Sequence, residues 1–200
     1  GAAVGLVGGL FGWLQFYGNA VRSEHELYVS RQADYASLTD SLMPVLRHRA
    51  AFRFYAKRLN LENTFKPGHY VLQRGMSVKD VVKMLKFGMQ TPVRVTINHV
   101  RTPAQLAGKL GRQLDADSAA WLRALTDKEL ASDVGFDSLT LFSMFIPDTY
   151  EFYWTVKPDA FVQRMRREYD RFWTAERDSL RSRSKLSRLE VMTLASIVYE

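Results

Sequence analysis

No residue before Arg22 in this 200-residue chain carries a charge. Across residues 1–21, Val4, Leu6, Val7, Leu10, Phe11, Trp13, Leu14 and Phe16 supply apolar surface, and about twenty apolar residues span a bilayer core. Trp13 and Tyr17 lie near the end of the stretch, where aromatic rings favour the membrane interface. Gly5, Gly8, Gly9 and Gly12 weaken a helix in water but are better tolerated where membrane helices pack closely. The stretch therefore predicts a transmembrane anchor over residues 1–21. Two other readings stay open. Gly18-Asn19-Ala20 fits the small-x-small site of a cleaved signal peptide, and an apolar run of this length also suits a buried core helix. The first two readings export the rest of the chain.

Composition narrows the class. With 46% hydrophobic and 24% charged residues, the chain has a real core to bury and is not disordered. A net charge of +7 suits anionic partners: nucleic acid, phospholipid headgroups or cell-wall polymers. The absence of cysteine excludes disulfides, thiol catalysis and Cys-ligated zinc. His25, His48, His69 and His99 lack the spacing of a metal-binding helix, and no glycine-rich phosphate loop is present. No metal and no cofactor are expected.

Residues 22–98 read as a small α/β module. Leu27-Tyr28-Val29 is a strand candidate, and Asp34 caps a helix from Tyr35 towards Leu46, interrupted at Pro44. A second helix, from His48 to Leu59, buries Phe52, Tyr55 and Ala56. His69 to Leu72 is a strand, Ser77 caps a helix through Phe87, and Gly88 ends it. Pro92 to Ile97 alternates apolar and polar residues as a half-buried strand does.

Residues 99–200 read as mostly helical. Thr102-Pro103 and Asp117-Ser118 open helices, and Pro158-Asp159 opens a long one to Asp178. Arg164, Arg166, Arg167 and Arg171 on that helix are interleaved with Glu168 and Asp170, the pattern of a solvated, salt-bridged face. Those acids, and the apolar first segment, argue against nucleic acid as a partner. Phe145 to Trp154 is too aromatic for an ordinary solvated loop. Its carboxylates beside aromatic rings suit a sugar, because CH faces stack on rings and hydroxyls bond to carboxylates. Aromatics that simply fill core are the competing reading. The last helix begins at Ser187 with Glu190 in a capping-box position, runs through apolar residues and reaches Glu200.

Four features in this order resemble the YceG-like family of endolytic murein transglycosylases. They are the apolar N-terminus; the module with Gly68-His69-Tyr70 and Gly75-Met76-Ser77-Val78; the turn Pro147-Asp148-Thr149-Tyr150; and Thr193-Leu194-Ala195-Ser196-Ile197-Val198 on the last helix. The first module is also similar to a LysM fold, which implies either glycan binding or a spacer. The expected fold is α+β: a transmembrane helix (1–21), a LysM-like module (22–98) and the mostly helical, incomplete start of a transglycosylase domain (99–200).

The resemblance implies an enzyme of the cytoplasmic membrane facing the periplasm or cell exterior. It would cut nascent peptidoglycan strands to 1,6-anhydro-N-acetylmuramic acid ends and so limit strand length. Its expected partners are peptidoglycan glycan strands, the cytoplasmic membrane and peptidoglycan synthases. The expected catalytic acid is Glu200 or, as the family spacing after Val198 favours, the residue that follows it. Asp148, Tyr150 and Glu151 are the expected substrate contacts. Phe142 and Ser143 stand where the family often has Glu-Gly, a departure in that part of the cleft. A downstream half of the cleft is expected beyond Glu200, so the 200 residues alone are expected to be inactive. The alternative is a non-catalytic, membrane-tethered glycan-binding or scaffold protein of the cell wall.

Such an acid must be protonated near neutral pH, so its pKa must be raised by apolar surroundings. Leu194, Ile197 and Val198 are the candidates for that setting.

Overall fold

The computed structural model describes residues 18–98 and 100–198. They form two compact units. The first runs to Val93 and takes in Tyr153–Thr155; the second holds Arg94–Phe152 and the residues from Val156 on.

In the first unit, β1 (His25–Val29) pairs antiparallel with β2 (Gly68–Leu72), with Leu27 opposite Tyr70 and Tyr28 opposite His69. Between them come α1 (Tyr35–Leu42), α2 (Arg49–Arg58) and the short α3 (Leu61–Thr64); α4 (Val78–Phe87) follows. Strand side chains alternate between faces. Leu27, Val29, Tyr70 and Leu72 therefore enter the core, where they join Leu38, Leu42, Phe52, Leu61, Val81 and Leu85. The Tyr70 hydroxyl donates to the Lys66 carbonyl at 2.8 Å, and burial pushes its pKa up to about 12.

Local signals set the helix ends. The Asp34 carboxylate accepts from the Ser37 N–H at 2.8 Å, and the Ser77 hydroxyl accepts from the Asp80 N–H at 3.1 Å. The first helix stops at Leu42, ahead of Pro44, rather than continuing to Leu46. Gly88 closes α4 in the left-handed region with φ 65°.

The transmembrane helix expected over residues 1–21 is corrected. Among the described residues, no helix is long and apolar enough to cross a membrane. Residues 1–17 lie outside the described residues, but the end of the expected span belongs to the first unit. Ala20 and Val21 are fully buried, both backbone N–H groups donate to the Met76 carbonyl, and Val21 bridges Leu46. The lack of charge up to Arg22 thus reflects, at its end, burial in a protein core.

The second unit contains α5 (Pro103–Gln113), α6 (Ser118–Thr126) and α7 (Lys128–Asp133), then a short 3-10 helix (Leu141–Met144). Strand β3 (Val93–Ile97), whose first residue lies in the first unit, pairs with β4 (Asp148–Phe152). Helices α8 (Pro158–Phe172), α9 (Ala175–Ser184) and α10 (Arg188–Val198) follow. Thr102 and Asp117 cap α5 and α6 through their side chains.

The single helix expected from Pro158 to Asp178 is instead two. Trp173 leaves the helical conformation with ψ 74° and is buried beside Tyr169 and Phe172. The Thr174 hydroxyl then caps α9 by accepting from the Arg177 N–H at 3.3 Å. The polar run from Arg181 to Ser184 is the last turn of α9.

Helices α9 and α10 are tied by charge. Both Arg181 and Arg188 donate to Asp178, with Arg181 Nε and Arg188 Nε each 3.0 Å from Oδ1. Hydrogen bonding from Arg188, then Arg181, lowers the Asp178 pKa to about 2. At the start of α10, the Ser187 N–H donates to Glu190 Oε2 at 2.7 Å while the Glu190 N–H donates to Ser187 Oγ at 3.2 Å. This is the reciprocal capping box expected from the sequence.

Two outcomes follow from these contacts. A Cβ at Gly88 would stand 3.2 Å from the Lys66 Cβ on a left-handed backbone. Gly88→Ala is expected to destabilise the protein by about 1–2 kcal/mol, read as a lower urea midpoint. An unchanged midpoint would refute the strained-turn account. Asp178 has a folded pKa below its unfolded value, so its ion pairs stabilise fully above the ordinary carboxylate range of about 3.9 and are lost as pH falls towards about 2. The stability difference between the parent and Asp178→Asn, measured by urea unfolding, should therefore be largest above about pH 5 and shrink towards pH 2. A difference independent of pH would refute this linkage.

Candidate functional site

The segment read as a Pro-Asp-Thr-Tyr turn is a strand, β4, because β3 offers a pairing edge that the local sequence does not reveal. The Thr96 and Thr149 hydroxyls meet across that pair at 2.8 Å. Side-chain alternation along β4 divides the expected substrate contacts. Asp148, Tyr150 and Phe152 share one face, and Glu151 lies on the other. Asp148 and Glu151 are exposed, while Tyr150 is partly buried.

The Tyr150 hydroxyl donates to the Ile146 carbonyl at 2.8 Å. Burial, then the charges of Asp148 and Glu168, push its pKa up to about 12. Tyr150 is therefore a fixed, neutral phenol, suited to hydrogen bonding and stacking rather than to proton transfer.

Aromatic packing seats this strand. The Phe152 ring lies 4.8 Å from Phe161 on α8, and Phe161 also meets Phe145 at 6.1 Å and Trp121 at 5.2 Å. Phe145 and Phe152 are thus core residues. In the first unit, Tyr28 stacks on His69 at 4.5 Å and meets the edge of Trp154 at 5.2 Å. Its hydroxyl donates to Glu26 at 2.8 Å. Tyr28 and Tyr153 remain half exposed, at 49% and 57%.

The structure adds Glu168, which the charge pattern of the sequence assigns to a solvated face. Its carboxylate is 12% exposed and accepts from Arg164 Nε at 2.5 Å and Arg171 Nη1 at 2.9 Å. The sequence signal was the Arg–Glu spacing of four along α8, which by itself describes any salt-bridged surface helix.

Glu200 lies outside the described residues. Helix α10, which leads to it, packs against the 3-10 helix Leu141–Met144. Of the residues expected to surround the acid, Leu194 is 50% exposed and Val198 86% exposed.

Comparison with known proteins places these elements. The YceG-like family model matches residues 27–200. A crystal structure of a YceG-like protein from Listeria monocytogenes aligns at 20% identity with a TM-score of 0.49, covering 88% of this chain. The chain spans 64% of the length of that protein. No curated protein matches. The LysM likeness expected for residues 22–98 finds no support in these comparisons. With a family match running from Leu27 through both units to Glu200, the chain belongs to the YceG-like family.

Proposed function

We propose that this chain belongs to a peptidoglycan lytic transglycosylase that cuts nascent glycan strands to 1,6-anhydro-N-acetylmuramic acid ends and limits their length. The observation that carries the reading is the family match over residues 27–200, which includes both specific motifs, Asp148-Thr149-Tyr150 on β4 and the Thr193–Val198 stretch of α10. The work takes place at the outer face of the cytoplasmic membrane, on peptidoglycan strands and beside the synthases that extend them.

The chemistry needs one carboxylic acid. It donates its proton to the glycosidic oxygen as the bond to the muramyl anomeric carbon breaks, releasing the neighbouring sugar with a free hydroxyl. It then takes the proton of the muramyl 6-hydroxyl, whose oxygen closes onto the same carbon. The proton count balances and no water enters. A hydrolase would instead pair two carboxylates, about 5 Å apart if retaining and about 6.5–9.5 Å if inverting. The acid is Glu200 or the residue after it. Asp148 and Tyr150 contact the sugar from one face of β4, and Glu151 from the opposite face.

Glycan binding without cleavage is the second reading. The outer face of β1–β2 favours it, since the half-exposed Tyr28 ring beside Glu26 and Trp154 suits a sugar CH face and its hydroxyls.

Purified peptidoglycan digested with protein expressed from the complete gene should yield anhydro-muramyl ends in mass spectrometry. Either Glu200→Gln or the corresponding change at the next residue should abolish them. Products with reducing ends alone would rule out the reaction, and intact peptidoglycan that nevertheless retains the protein would support the second reading.

A further inference from the structure

We propose that Arg164 and Arg171 on α8, both held by Glu168, together with the neighbouring Arg167, form a receptor for the carboxylates of the substrate, those carried by the peptide branches of peptidoglycan. The inference rests on the transglycosylase reading and names how that site takes its substrate.

Positions 164, 167, 168 and 171 fall at i, i+3, i+4 and i+7, one stripe of the helix. The stripe holds three arginines and one glutamate, so it carries excess positive charge. Glu168 is the least exposed of the ion-paired members at 12%, whereas the Arg164 and Arg171 side chains are 42% and 73% exposed. One carboxylate oxygen receives Arg164 and the other receives Arg171. Each guanidinium thus uses one N–H on Glu168 and keeps its other donors for an incoming group. Arg167, between them, is exposed.

Arginine forks match planar carboxylates in a bidentate way, and a fork already held in place loses less freedom on binding. The neighbouring helix face is different: there Arg166 spends its charge on Asp170 at 2.9 Å and on the Val134 carbonyl.

Placement links the stripe to the candidate site. Phe161, one turn before Arg164, packs on Phe152 of β4, and Tyr150 lies two residues back along the same strand face. The Glu168 charge reaches the Tyr150 phenol. Asp148, on that same face, supplies an exposed acceptor for sugar hydroxyls. The second unit therefore offers a hydroxyl acceptor and a ring on β4 and oriented guanidiniums on α8, which fits a carboxylate-bearing glycan better than a neutral one.

The test is co-sedimentation of the full-length protein with purified peptidoglycan, before and after its carboxylates are converted to amides. Amidation should weaken binding, and Arg167→Gln and Arg171→Gln should each cost about fivefold on native polymer and little on the amidated one. Glu168→Gln separates organisation from charge. It makes the stripe more positive, so a diffuse attraction predicts tighter binding, whereas an organised receptor predicts weaker binding. Unfolding midpoints matching the parent show that the variants are folded; the exposed Arg167 carries the test if Glu168→Gln does not fold. Equal binding of native and amidated polymer, tighter binding by Glu168→Gln, or loss of binding only to a DNA duplex in the arginine variants would each overturn the proposal. Product analysis in the same samples separates the two ideas. Anhydro ends with binding indifferent to amidation sink only the receptor, and amidation-sensitive binding without anhydro ends sinks only the reaction.

Discussion

The Phe161 ring joins three segments of the second unit. It receives Trp121 from α6, Phe145 from the end of the 3-10 helix and Phe152 from β4, so three separate segments are fixed by one side chain on α8. Each such aromatic pair adds about 0.5–1.5 kcal/mol beyond the burial of its area. The geometric consequence matters more. Phe152 reaches Phe161 from the end of β4, and Tyr150 lies two residues earlier on the same strand face. The candidate site is an outcome of core packing.

Charge then acts on a frame already built. Helix α8 carries two kinds of arginine. Arg166 is spent on structure, bonded to Asp170 and the Val134 carbonyl. Arg164 and Arg171 share one poorly exposed carboxylate and keep donors free. Further along, Asp178 gathers Arg181 and Arg188 and sets where α10 starts relative to α9. The helix leading to the expected acid is therefore positioned by an ion-pair network at its N-terminal end, together with its contact with the 3-10 helix. Leu194 and Val198 remain open to solvent on this helix. A dry pocket that would raise the pKa of an acid at its end needs groups beyond these two.

The first unit shows a similar division of labour on its sheet. One face of β1–β2 sends Leu27, Val29, Tyr70 and Leu72 into the core. The other places His69 under Tyr28, with its Nδ1 on the Thr91 carbonyl at 3.0 Å and its Nε2 3.7 Å from Glu26. The inward face gives the unit its stability, and the outward one gives it a surface with aromatic and polar character. Family membership attaches to both units, since the match begins within β1 and runs to the last residue.

Where information is local, the sequence by itself determined the outcome. Side-chain caps at Asp34, Ser77, Thr102, Asp117 and Ser187 depend on neighbours three residues away, and glycine at position 88 meets a left-handed backbone that other residues resist. The α+β class and most helix positions follow from the same short-range periodicity. Tertiary structure decided what depends on distant partners. β4 is a strand because β3, some fifty residues earlier in the chain, offers it an edge. The expected long helix breaks because burial of Trp173 outweighs helical continuity. Ala20 and Val21 look like the end of a membrane span until the Met76 carbonyl is found to accept both their N–H groups and Leu46 to lie opposite Val21. Glu168 reads as one more surface acid until packing closes over it. Hydrophobicity and charge are properties of a residue, but burial is a property of its neighbours, and only the folded chain supplies those.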